Sequence, residues 1–286
     1  MLRALLALLL LLSTPVLPGR ASAAELKLAT WNLAWLTTRP QGDPDLPPDV
    51  VRRAPGDLAR LRAYADRLAA DVIALQEVDG PEAAALVLDP ARWTFFFPEE
   101  RDVQRAGIAV RRGIAAAQNE DLAALDLRPA ARFSLRRGTD VTVGQGASRL
   151  RILSLHLNAG CREADDRGRQ CESIAQQGEI LAGWIAARHA ASEAFALAGD
   201  FNRRFDRDPT ILPMLERAAP LTRTTAGRSN PCWGGRPFID HILLGGPARA
   251  WMTEGSLRVL VYAERGPEWR DRLSDHCPVS VLLSTP

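Results

Sequence analysis

The chain has 286 residues, with 36 Lys and Arg against 34 Asp and Glu, a formal charge of +2 and 47% hydrophobic residues. This near-balance excludes a strongly basic domain that coats polyanions by net charge alone, and the apolar content is enough for one large domain with a deep core. Every cation except Lys27 is an arginine, which suits bidentate phosphate recognition and follows equally from GC-rich coding.

Arg3, the apolar run Ala4 to Leu12, then Ser13, Thr14 and Pro15, and finally Ala21-Ser22-Ala23 read as a signal peptide over residues 1–23. The run is far short of the roughly 20 apolar residues a membrane span needs, so stable membrane insertion is not expected. Removing the leader takes away Arg3 and Arg20 and no acid, and the formal charge falls to zero. The expectation is a secreted or periplasmic protein, a monomer, with a single domain over residues 24–286.

Apolar runs of strand length follow: "LKLATWNLAWL", "VIALQEV", "WTFFF", "AGIAVRR", "RLRILSLHL", "AFALAGDF", "FIDHILL" and "PVSVLLS". Trp93 to Phe97 could be imagined as a membrane-dipping tip, but its length and flanks favour a buried strand. Between the runs, Leu58, Leu61, Tyr64, Ala65 and Leu68 recur at helical spacing, as do Ile174, Leu181, Trp184, Ile185 and Arg188. Pro40 to Pro55 reads as a proline-rich surface loop. Many strands with few helices predict two packed sheets with helices outside, an α+β sandwich. Four cysteines in an exported chain suggest two disulfides. Sequence allows three pairings, among which Cys161–Cys171 would close a short arginine-rich loop and leave Cys232–Cys277. A thiolate zinc site is the weaker alternative, because no C-x-x-C spacing occurs.

Polar residues sit where the apolar runs stop. Asn32 interrupts the first, Glu77 ends the second, His156 and Asn158 close the fifth, and Asp200 and Asn202 end the sixth. Asp240 and His241 lie in "FIDHILL", and Asp275 and His276 in "SDHCP". A lone buried Asn or His is usually structural, but six such strand ends together imply groups that pair or bind something. Carboxylate and amide oxygens suit a hard cation, Mg²⁺ or Mn²⁺, with sites left for water and phosphate oxygens.

The motifs "TWNL", "LQEV", "SLHLNAG", "GDFN", "IDHIL" and "SDHCPV", in this order from about residue 28 to 282, resemble the endonuclease/exonuclease/phosphatase superfamily, which includes DNase I. The resemblance covers nearly the whole chain beyond the leader. It implies a four-layer α/β/β/α sandwich of two mainly antiparallel sheets flanked by helices. It also implies Glu77 as a ligand for Mg²⁺ or Mn²⁺ with Asn32 beside it, Asp275 in the same metal region, and Ca²⁺ as a further structural ion. His276 would contact the scissile phosphate, held by Asp240; Asp200 would activate or position the water. Asn202 would donate to the phosphate or ligate the metal, and His156 would donate to a phosphate oxygen. Asn158, Arg105 and Arg203 are candidates for binding substrate, and Arg101, Arg111, Arg112, Arg162, Arg167, Arg169 and Arg204 stand near expected site loops.

Two departures bear on the substrate. Gln104, Arg105 and Ala106 occupy the segment where nucleases of this family often carry a tyrosine or glutamate, so the resemblance does not identify the partner of His156. The first motif reads Asn32-Leu33-Ala34, without the aspartate of abasic endonucleases, which disfavours abasic-site repair. The expectation is a secreted metal-dependent nuclease acting on DNA, with RNA as a further substrate. The alternatives are a phosphodiesterase or phosphatase for a phospholipid head group or inositol phosphate, and a non-catalytic binding protein on the same scaffold.

Overall fold

The computed structural model describes residues 24–161 and 168–286. The expected leader, Arg162 and Arg167 lie outside the described residues.

The apolar runs form strands as their two-residue alternation predicts. In chain order the elements are β1 (Ala24–Leu36), α1 (Pro55–Leu68), β2 (Val72–Val78), α2 (Pro81–Ala84), β3 (Trp93–Phe96), β4 (Arg105–Arg111), β5 (Ala116–Gln118), β6 (Thr139–Val143) and β7 (Leu150–His156). Then come α3 (Arg169–Ala190), β8 (Phe195–Asp200), α4 (Ile211–Ala218), β9 (Leu221–Arg223), β10 (Asp240–Gly245), β11 (Arg258–Val259), α5 (Glu268–Arg272) and β12 (Val279–Thr285). Two six-stranded sheets result, in the orders β11-β12-β1-β2-β4-β3 and β5-β6-β7-β8-β10-β9. Each is antiparallel except for one central parallel pair, β1 with β2 and β7 with β8. Parallel neighbours need a crossover, and α1 and α3 supply the two.

Three apolar layers separate four structural ones. Leu61, Tyr64 and Leu68 of α1 pack on Trp31, Ile73 and Leu75. Leu28, Ala74 and Ile108 meet Ile152, Ala198 and Ile242 between the sheets. Leu181, Trp184 and Ile185 of α3 cover Leu153, Leu197 and Leu243. The chain is therefore an α/β/β/α sandwich. The aromatic run at Trp93 forms an edge strand rather than a core one: Trp93 is buried, but Thr94, Phe95 and Phe96 are partly exposed.

The inter-sheet face changes character along the strands, which places the site. Alternate residues run Leu28, Thr30, Asn32 on β1; Val72, Ala74, Gln76 on β2; Ile152, Ser154, His156 on β7; Ala196, Ala198, Asp200 on β8; and, on antiparallel β10, Leu244, Ile242, Asp240. Apolar residues give way to neutral polar ones and then, at a single rim, to amide, imidazole and carboxylate. The middle layer satisfies itself: Thr30 Oγ1 donates to Gln76 Oε1 at 3.0 Å, and Gln76 Nε2 donates to Ser154 Oγ at 3.3 Å. Such pairing is what makes fully buried polar groups tolerable. Among the described residues no helix is long and apolar enough to cross a membrane.

Candidate active site

Register fixes half of the site. His156 pairs with Asp200, and Asp200 with Asp240, across three adjacent strands, so the three side chains form one row on the inter-sheet face. The strands approach closely here, because a Cβ on Gly199 would lie 2.0 Å from the Leu155 carbonyl oxygen. Phe201 turns back into the apolar layer under α3 and is fully buried.

The other half depends on broken register. Leu75 pairs with Gly107 but Val78 with Arg105, so β2 carries one extra residue there; β1 carries a longer irregularity between Asn32 and Leu36. Glu77, Ala34 and Trp35 have positive φ, at 57°, 44° and 61°. Simple alternation would send Glu77 to the face of Leu75, under the helices. The bulge gives that face to Val78 and leaves Glu77 on the rim, a re-aiming that bulges commonly provide beside functional sites. Thr37 and Arg39 both bond Asp79, at 2.7 and 2.8 Å, and brace the turn that follows.

One connected polar network results. Asn32 Nδ2 donates to Glu77 Oε1 at 3.0 Å and to Asp200 Oδ2 at 3.2 Å, while its Oδ1 accepts the Ala34 N–H. His156 Nε2 lies 3.8 Å from Glu77 and 3.7 Å from Asp200. His276 Nε2 lies 3.7 Å from Asp200 and 3.8 Å from Asp275, and its Nδ1 meets Asp240 at 2.8 Å. Asn202, with φ 52°, donates its backbone N–H to Asp200 Oδ1 and its amide to the Leu157 carbonyl. Asn158 faces the start of α3: its N–H donates to Gln177 and its amide to the Gln170 carbonyl.

The two imidazoles are driven apart in charge. Burial disfavours the His276 imidazolium, but Asp240 and Asp200 outweigh it and raise its pKa well above the usual value. His156 is lowered well below by burial, by Arg136 and by His276; its Nδ1 is buried without a hydrogen-bond partner. Asp200 is held above the ordinary carboxyl range by burial, with Asp240 and Glu77 adding to the effect and His276 and the Asn202 N–H opposing it. An imidazole with raised pKa, one with lowered pKa and a carboxyl raised to about 7 thus share one rim.

Several expected arginines are placed otherwise. Arg203 is buried, bonding Asp208 at 2.7 Å and the Cys161 carbonyl, so its guanidinium ties two loops together and does not face a substrate. Arg111 and Arg112 lie at the end of β4 away from Glu77 and bond the carbonyls of Ala70 and Pro90. Arg105 is at the rim, where it donates to the Asp102 carbonyl and faces Asp79 at 3.8 Å. His241 points to the opposite face from Asp240, between Thr225, the Arg203 carbonyl and the stacked ring of Phe205.

Other residues enter the site unheralded by sequence. Arg53, from the proline-rich loop, donates to the carbonyls of Leu33, Trp35 and Leu273, and burial lowers its pKa against the pull of Glu77. Ser274 donates to the Asn32 carbonyl at 2.8 Å and accepts the His276 N–H at 3.0 Å, joining first motif to last. Tyr262 accepts from Trp31 and donates to the His276 carbonyl. Arg136 spans Gln104 and the carbonyls of His156 and Leu157. Only Ser274 carried a signal, its place beside "DHCP". Both disulfides are formed, Cys161–Cys171 and Cys232–Cys277; the second anchors Cys277 directly after His276.

A model of the endonuclease/exonuclease/phosphatase family matches residues 29–276. The chain belongs to that family. Membership makes it a relative of phosphoester hydrolases, with the network above spanning the matched region from Asn32 to His276. The fold is similar to that of truncated Caenorhabditis elegans TDP2, at 13% identity over 91% of this chain and 98% of that one, with a TM-score of 0.61. It is also similar to D. rerio TDP2 complexed with single strand DNA product, at 17% identity, 92% and 100% coverage and 0.58. AP endonuclease LMAP from Leishmania major gives 17%, 92% and 88%, and 0.54. No curated protein matches the chain in sequence.

The donor set fits a hard divalent cation. Glu77, Asp200, Asp240 and Asp275 converge on one rim, and Glu77 and Asp275 line the same cleft of about 350 Å³. Single ligand atoms of Asp200, Asp240 and His276 lie within 4.8 Å of one another, but there the Nδ1–Asp240 bond occupies both partners. Oxygen ligands beside open solvent are what Mg²⁺ requires, which favours the Glu77 side.

Proposed function

We propose that this protein is an exported, divalent-metal-dependent phosphodiesterase whose substrate is nucleic acid, DNA with RNA as a second substrate. The observation that carries the reading is the convergence of two histidines on one carboxylate: Asp200 lies 3.7 Å from the Nε2 of His276, which Asp240 holds at 2.8 Å, and 3.7 Å from the Nε2 of His156. Asp240 holds the His276 ring with its proton on Nδ1 and its Nε2–H free to donate to a phosphate oxygen. Asp200 accepts a proton from the attacking water, and Asn32 keeps its carboxylate oriented. His156, kept neutral, presents Nε2 from the other side. Donors aimed at developing charge are the largest contribution in such chemistry. Glu77 and Asp275, which line one cleft, would hold Mg²⁺ or Mn²⁺, with Asn32 orienting Glu77 through its amide N–H. Such an ion supplies charge neutralisation for the phosphate and the leaving oxygen.

Single-stranded DNA in the D. rerio relative supports a polynucleotide substrate. Export is supported by the leader and by two disulfides, which persist in oxidising compartments. The test is hydrolysis of plasmid DNA, RNA, sphingomyelin, inositol phosphates and bis-p-nitrophenyl phosphate, with and without chelator. DNA cleavage abolished by chelation is expected. Hydrolysis that survives thorough metal removal would overturn the mechanism; intact DNA beside a cleaved small ester would overturn the substrate.

A further inference from the structure

The segment after β8 and the segment before β10 enclose an open hollow of about 390 Å³, lined by Arg204, Arg207, Arg228 and Arg236. All four are exposed, and among the described residues none of their guanidinium groups has a hydrogen-bond or acidic partner. The single carboxylate in the lining, Asp206, is taken by Arg223. Arg53, Arg136 and Arg203, by contrast, hold backbone carbonyls. Exposed charge costs little in water, so the cluster alone would signify little. Its position gives it meaning, because Arg236 lines both this hollow and the cleft that contains Glu77 and Asp275. A chain near zero net charge cannot attract a polyanion as a whole, and a local field continuous with the site must do so instead.

We propose that this hollow binds a phosphate of the substrate strand other than the scissile one, so that the enzyme selects oligonucleotides over isolated phosphodiesters. The proposal rests on the nuclease reading above and adds its specificity determinant. Guanidinium forks match phosphate geometry bidentately, and Arg204 and Arg228 approach from the two segments.

The test is fluorescence anisotropy of a labelled single-stranded DNA 12-mer with the purified protein in chelator, where cleavage is suppressed. Arg204→Gln/Arg228→Gln should raise Kd at least about tenfold. It should also flatten the dependence of log Kd on log salt by about 0.7 for each phosphate that is no longer neutralised. Arg149→Gln, in a separate hollow beyond the start of β7, is the control and should change neither. An unaltered Kd and slope in the double variant would overturn the proposal, as would an equal change in the control, which would mean diffuse attraction. Hydrolysis of the same 12-mer and of bis-p-nitrophenyl phosphate separates the two readings. If the wild type cleaves only the small diester, the nuclease reading fails and the selection of oligonucleotides with it, while the anisotropy still decides whether the hollow binds a strand phosphate. If it cleaves both and the double variant keeps the wild-type ratio of kcat/KM, the hollow fails and the nuclease reading stands.

Discussion

The imidazole of His276 lies against the carboxylate of Asp240, Nδ1 at 3.0 and 2.8 Å from the two oxygens, and presents Nε2 to Asp200 at 3.7 Å. Burial opposes the imidazolium, and the carboxylates restore it. Asp240→Asn keeps the shape and removes one of those charges, so the folded His276 pKa should fall. A histidine raised by its fold contributes stability that is full below the unfolded pKa, about 6.5, and is lost as pH rises through the folded value. In the variant that window moves down, which NMR titration of the ring would detect. kcat/KM should fall about 10²- to 10⁴-fold, and Tm should fall most below about pH 6.5, where the pairing contributes its full stability. Activity within tenfold of wild type would mean that the charge of Asp240 is not what keeps His276 effective.

Glu77 reaches the rim only through the extra residue in β2, and its Oε1 already accepts the Asn32 amide at 3.0 Å. Glu77→Gln preserves an acceptor for that bond but removes the charge a cation would need. The expected result is a rise of at least about tenfold in the Mg²⁺ or Mn²⁺ concentration giving half-maximal activity, with partial recovery at saturation; tenfold corresponds to about 1.4 kcal/mol. Calorimetric titration of metal into the variant supplies a readout independent of turnover. An unchanged metal dependence would move the cation site elsewhere.

Cys232 and Cys277 close a separation of 45 residues, Cys161 and Cys171 one of 10. By chain entropy the longer loop is worth about 4 kcal/mol and the shorter about 3 kcal/mol. Replacing Cys232 and Cys277 together by alanine should lower Tm by roughly 10 °C for a domain of this size. Activity should fall even at temperatures where the variant remains folded, because Cys277 follows His276 in the chain. The same change at Cys161 and Cys171 should cost less. Equal losses from the two pairs would mean that loop length does not set the effect.

Sequence showed what alternation can carry. The eight apolar runs are β1, β2, β3, β4, β7, β8, β10 and β12, and their polar ends do meet. The missed strands β5, β9 and β11 have two or three residues, too few for a period. β6 hides because it carries Asp140, a buried partner of Arg151 and Trp184. Arg53 and Arg136 look like any loop arginines; their function as clamps on backbone carbonyls exists only after distant segments meet. Arg203 and Arg204 show the limit most plainly. Adjacent and chemically identical, one is buried on Asp208 and the other is exposed in the hollow, and outside a strand no periodicity tells which.

Glu100, between β3 and β4, accepts the Arg137 N–H on Oε2 at 2.9 Å, while its Oε1 is buried without a partner. Burial pushes its carboxyl up to about 7; Asp102 and Asp126 add to this, and the Arg137 N–H and Arg105 oppose it. The unfolded chain ionises near pH 4.3, well before the folded one. The stability contributed by the neutral acid is therefore full below about pH 4.3 and is lost as pH climbs through about 7. At roughly 1.4 kcal/mol per unit, the loss reaches about 4 kcal/mol at most. Glu100→Gln keeps an acceptor for Arg137 and cannot ionise. Its stability relative to wild type, measured by urea denaturation, should grow by about 1 to 3 kcal/mol between pH 4.5 and 8. A difference that stays flat across that range would mean that Glu100 is solvated when charged.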